Sequence, residues 1–149
     1  MNKDKLLISA CLTGKNCKYN GGNNQIERLQ ELVEKYELIP VCPEQLGGLS
    51  TPRNPSEIKE GRVVNTVGTD VTDAFSTGAK VTLKIALDNN CSLCLLKERS
   101  PSCGANFIYS GDFSGTVIKG SGITAKLLRE KGFKIFTEEE IDKLLDCRR

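Results

Sequence analysis

Histidine is missing altogether from the 149 residues. Without it no Cys-His or Ser-His nucleophile pair can form within the chain. Any general acid or base must then be Glu, Asp, Lys, Tyr or Cys, and any metal site must be built from thiolates and oxygens. That donor set favours iron–sulfur clusters or all-cysteine zinc. Charge of one sign is scarce as well: 21 Lys and Arg stand against 19 Asp and Glu, a net charge of +2. So small an excess does not by itself imply a nucleic-acid partner. Long hydrophobic runs are lacking too. The opening MNKDKLLISACL is too briefly apolar for a signal peptide and no stretch could cross a membrane, so the cytoplasm is the expected compartment. There is no internal repeat, low-complexity tract or linker, and residues 1–149 are expected to form a single domain.

What is plentiful is cysteine. The seven thiols are Cys11, Cys17, Cys42, Cys91, Cys94, Cys103 and Cys147. An odd number in a reducing compartment argues against a disulfide framework and for metal binding or a reactive thiol.

Short apolar runs at Lys5–Leu12, Leu38–Cys42, Cys91–Leu96 and Phe133–Phe136 read as buried strands. Helical spacing links Ile26, Leu29, Leu32, Val33 and Tyr36, and again Val71, Ala74, Phe75, Gly78, Thr82, Ile85 and Ala86. Asp70 and Asp73 resemble a loose cap for that second helix. A further helix is expected over Ser121–Lys131, stopped by Gly132. Thr137 with Glu140 forms a capping box for a last helix carrying Ile141, Leu144 and Leu145. Phe107–Tyr109 and Thr116–Ile118 suggest a hairpin, and Arg62–Thr66 a small strand. Pro43–Gly61, rich in Gly and Pro, reads as one long loop of the kind that is usually functional. Strands alternating with helices predict an α/β fold: a three-layer sandwich with an open, mostly parallel sheet and helices on both faces, Rossmann-like.

In such sheets ligands bind beyond the carboxyl ends of the strands. Cys11 and Cys42 end the first two strands, and Cys103 lies in the loop leaving the third, within Lys97–Gly104 (KERSPSCG). Cys17 follows on the same side. Cys91 begins its strand at the opposite edge. Cys94, three residues along, is expected on the other sheet face, so the CSLC pair should not chelate one ion. Cys91, Cys94 and Cys147 are read as small hydrophobes. Three converging thiolates suit a cluster, or a metal with an open position. Glu44, in Cys42-Pro43-Glu44, is a nearby acid or base. Ser100, Ser102 and Lys97 are placed to hydrogen-bond a ligand, and Arg53 to hold a carbonyl or phosphate.

Five segments together, SACLTGKNCKYNGG, PVCPEQLGGLSTPRNPSEI, VGTDVTDAF, LLKERSPSCG and GSGITAKLLREKGF, resemble the TudS-type thiouracil desulfidase family over about residues 6–140. The resemblance implies a 4Fe–4S cluster on Cys11, Cys42 and Cys103 with one iron open, Glu44 as catalytic acid and Ser100 as catalytic serine. It also implies non-redox cleavage of a C–S bond in thiouracil, a thiouridine nucleotide or 4-thiouridine of tRNA, with release of hydrogen sulfide. A small thiopyrimidine or nucleotide is the expected partner, with tRNA as the larger alternative. A phosphate-bearing substrate would draw on Lys15, Lys18, Arg53, Lys97, Arg99 and Lys119. The rival reading is a zinc-binding module, with Cys11, Cys17, Cys42 and Cys103 stabilising an RNA-binding surface. A third is a thiol redox protein using CSLC, which would need an exposed helix N-terminus at that pair.

Overall fold

A computed structural model describes residues 3–146. Four strands, β1 (Asp4–Ser9), β2 (Tyr36–Val41), β5 (Leu93–Leu96) and β8 (Lys134–Thr137), form one sheet in the order β2-β1-β5-β8, every neighbouring pair parallel. Alternation along β1 sorts the core into two layers. Leu7 faces Cys94, Leu96 and helices α3 (Thr72–Asp88) and α4 (Ile123–Glu130). Leu6 and Ile8 face Leu95, Phe136 and helices α1 (Leu29–Lys35) and α5 (Ile141–Asp146). Helices thus cover both faces, giving the expected three-layer α/β domain. At a site so tightly enclosed, truncating Leu7 or Leu95 to alanine costs about 2–5 kcal/mol.

Several elements differ from their sequence pattern. Helix α1 has only seven residues: Val33 is exposed and Tyr36 has already turned extended to open β2. Pairing of Tyr36 with Asp4 across the sheet, and a hydrogen bond from its hydroxyl to the Leu144 carbonyl at 2.7 Å, override the helical spacing. The Pro43–Gly61 stretch is not one loop. It holds the one-turn helix α2 (Pro43–Leu46) and then β3 (Ser56–Lys59), which pairs antiparallel with β4 (Arg62–Asn65). Glu60 and Gly61 close that hairpin with φ of 51° and 78°, the twist a two-residue turn demands. A second hairpin joins β6 (Phe107–Tyr109) to β7 (Val117–Lys119). The capping box at Thr137 and Glu140 is present, and it opens a 3-10 turn that runs into α5. At α3 the N-cap is Val71, without a side-chain cap, and the Asp70 carboxylate before it accepts the Thr72 N–H at 2.9 Å, with no such bond from Asp73.

The sheet order places a reversal of the winding order between β1 and β5, all strands staying parallel: β2 lies to one side, β8 to the other. Ligand crevices form outside the carboxyl ends of the strands at such a point in open parallel sheets. Among the described residues no helix is long and apolar enough to cross a membrane.

Candidate active site

Beyond that reversal lies a cavity of about 530 Å³. Cys11 enters it from the 3-10 turn Ala10–Thr13 that follows β1, Cys42 from the junction of β2 and α2, and Cys103 from the loop after β5. Cys17 joins them from the loop after the 3-10 turn, so four thiols far apart in sequence line one space. Neither Cys91 nor Cys94 lines it. Both pack in the same hydrophobic layer, contrary to the opposite faces expected of them, because β5 starts only at Leu93 and strand alternation does not extend back to Cys91. Burial pushes the Cys94 thiol up to about 12, which suits an inert packing residue. Cys147 lies outside the described residues.

Burial also raises the Cys11 thiol, Cys42 adding to the effect and Asn24 and Lys97 opposing it. Cys17 is pushed up to about 12, first by burial and then by Cys42 and Cys11. Cys103 is raised further still by burial, with the Ser9 hydroxyl working against it. Burial thus favours the neutral thiol at Cys11, Cys17 and Cys103, whereas a metal ligand must be the thiolate, so metal binding would release protons. Among the described residues no three Cys, Asp or Glu side chains close on a single ion. Thiols that ring a wide cavity, without histidine, fit a polynuclear iron–sulfur group better than the lone tetrahedral zinc of the rival reading.

Glu44 sits in the first turn of α2, and Arg53 clamps it: Nε donates to Glu44 Oε2 at 2.5 Å. Arg53 is otherwise committed as well, Nη1 to the Ser50 carbonyl and Thr51 Oγ1 and Nη2 to the Cys17 carbonyl. The side chain expected to bind substrate is thus mainly a brace for Glu44 and the Cys17 loop. Among the described residues no buried side-chain oxygen lacks a partner and no protein group donates to Oε1 of Glu44, so Oε1 is accessible, on a side chain that lines the cavity.

Ser100 Oγ accepts the N–H groups of Ser102 at 3.1 Å and Cys103 at 3.0 Å. It shapes the turn that delivers Cys103, and its own O–H stays available to donate. Ser102, expected to bind substrate, is 1 % exposed and shares a 2.7 Å hydrogen bond with Thr124 Oγ1, fastening the loop to α4. Lys97 pairs with Glu138 at 2.9 Å and donates to the Glu98 carbonyl. Of the six cations named for a phosphate, Lys18, Arg53, Lys97 and Arg99 reach the cavity and Lys15 and Lys119 do not.

Sequence reading missed Ser9, Asn24 and Glu98. The carboxylate of Glu98 is 3 % exposed, and it accepts the backbone N–H groups of Asn106 and Phe107 at 3.0 and 3.1 Å and the Asn106 amide at 3.1 Å. Burial disfavours its ionised form, but these donors and the Arg99 N–H outweigh that and hold it below the usual carboxylate range. No local spacing announces such a role, since its partners lie eight and nine residues on.

Fold and site together define a class: a doubly wound α/β enzyme domain whose thiol-ringed crevice, with an open carboxylate and a hydroxyl, suits an iron–sulfur cofactor. A family model described as 2-thiouracil desulfurase matches residues 6–140. An uncharacterized protein of Bacillus subtilis (strain 168), YbbK, is 43% identical over 150 residues, covering 94% of this chain and 99% of its own. A solved structure, the [4Fe-4S]-dependent thiouracil desulfidase TudS, superimposes with a TM-score of 0.91 at 40% identity over 95% of both chains. The chain belongs to the 2-thiouracil desulfurase family of enzymes.

Proposed function

We propose that this chain is an iron–sulfur-dependent desulfidase that converts the thiocarbonyl of a thiopyrimidine to a carbonyl and releases hydrogen sulfide. The observation that carries the reading is one cavity shared by Cys11, Cys42, Cys103, Glu44 and Ser100. Cys11, Cys42 and Cys103 would hold a 4Fe–4S cluster, leaving Cys17 as a fourth thiol beside it. When bound, the cluster supplies a Lewis-acidic iron for the soft thiocarbonyl sulfur.

The remaining chemistry falls to the chain. Glu44 Oε1 accepts a proton from water as the water oxygen bonds to the ring carbon, while Arg53 fixes Oε2 so that the carboxylate cannot swing away. The Ser100 hydroxyl, already accepting two N–H bonds, donates to the pyrimidine edge or to that water. The carbon–sulfur bond then breaks and the two protons of the water leave with sulfur as hydrogen sulfide. Water is consumed and no electron is transferred overall.

Lys18 and Arg99 face the cavity without an ion-pair partner among the described residues. They are the groups on which a nucleotide phosphate or a tRNA backbone would rest, and a small thiopyrimidine or nucleotide is the favoured substrate. The test is anaerobic reconstitution of the chain, metal analysis, and sulfide release from thiouracil, 4-thio-UMP and thiolated tRNA in parallel. A brown protein with about four irons that releases sulfide supports the reading. A colourless protein with one zinc, or Cys42→Ala retaining both the cluster absorbance and full sulfide release, overturns it. Glu44→Gln is expected to keep its iron and lose about 10²–10⁴-fold in turnover.

A further inference from the structure

One neutral donor stands against the sulfur of a proposed ligand without belonging to the ligand set or to the acid–base pair. The Asn24 amide donates to Cys11 Sγ at 3.4 Å, and the Asn24 backbone N–H donates to the Cys11 carbonyl at 2.9 Å. One residue therefore grips Cys11 at both ends. The chain holds it there by a further bond, from Ile26 N–H to the Leu12 carbonyl at 3.1 Å. Cys42 differs: its sulfur faces a carbonyl, that of Cys17, at 3.8 Å.

We propose that Asn24 is a positioning residue that lowers the electron density on one of the three proposed cluster ligands, Cys11, while the Cys42 sulfur has no such donor. The inference rests on the cluster reading above. A hydrogen bond to a thiolate withdraws charge from sulfur, weakens its donation to iron, and makes the iron both a better Lewis acid and easier to reduce. An amide achieves this without adding a charge to the cavity. A merely structural Asn24, closing the Gly/Asn-rich loop, would leave the iron's electronic properties alone.

The experiment is reconstitution of the full chain under anaerobic conditions, iron analysis, and a reductive titration followed by electron paramagnetic resonance. Asn24→Leu is expected to load iron, to shift the midpoint to lower potential, and to move the sulfur-to-iron charge-transfer bands to longer wavelength. Should Asn24→Leu fail to load, Asn24→Ala is read in its place: it removes the amide donor and adds neither bulk nor charge. A lowered midpoint supports the inference and an unchanged one overturns it. Iron-replete variants with midpoint and bands equal to the wild type sink this inference alone. A wild-type chain that takes up no iron sinks the cluster reading with it.

Discussion

Glu98 carries more of the site than its neighbours in KERSPSCG suggest. Its carboxylate is the hub on which the backbone of residues 99, 106 and 107 is threaded, and its own N–H donates to Glu138 Oε1 at 2.7 Å. Arg99 beside it adopts a φ of 66°, a strained geometry that such a hub must hold in place. Glu98→Ala orphans several buried donors and is expected to cost about 3 kcal/mol or more in urea unfolding. Because the folded carboxyl is held below its unfolded value, its contribution is fully present above the unfolded pKa. It disappears as pH falls through the folded one. The stability gap between wild type and Glu98→Gln should therefore be flat above about pH 5 and close below it. At this scale the sequence pointed to Cys11, Cys42, Cys103, Glu44 and Ser100, which the fold brings to one cavity, because they sit at strand ends or in dense motifs. It hid Glu98, Asn24 and Ser9, whose partners come from other segments, and it assigned to ligands the groups of Arg53 and Ser102 that the protein uses itself.

Helix α2 shows how an element, rather than a residue, sets the position of Cys42 and Glu44. Its CPEQLGG segment crosses α3 with backbone nearly touching backbone. A Cβ added at Gly47 would lie 2.0 Å from the Ala74 carbonyl oxygen, and one at Gly78 would lie 1.9 Å from the Pro43 carbonyl oxygen. Only glycine at both places allows that crossing. Gly78→Ala is expected to cost about 1–3 kcal/mol or more and to push α2 away from the cavity. Turnover should then fall further than stability alone explains, measured on protein that is still folded by circular dichroism. Periodicity placed Gly78 on the buried face of α3 correctly, but it could not give the reason, since the partner is a four-residue helix with no period of its own. The same brevity concealed α2 and β3 inside a stretch that looked like loop, whereas β4 matches the small strand expected at Arg62–Thr66.

For the molecule as a whole, the three proposed ligands hang from three strands of one sheet, and β1 binds β2 on one side and β5 on the other. A cluster would act as a cross-link between segments otherwise held by the core. Anaerobic reconstitution is expected to raise the unfolding temperature by several degrees, and an iron chelator to reverse the gain; scanning calorimetry of both forms checks it. Alternating apolar runs made the parallel α/β architecture legible from the sequence alone. The strand order was not, because connection lengths allow more than one arrangement and only packing selects among them.

That strand order has a consequence for biosynthesis. Cys11 and Cys42 leave the ribosome well before Cys103, with about 60 residues between the last two, or roughly 3–12 s of translation at ordinary rates. Until β5 docks against β1, the growing chain would display two of the three proposed ligands. Cluster assembly on that set would have to wait for synthesis of Cys103, and a product truncated before it is expected to bind no cluster.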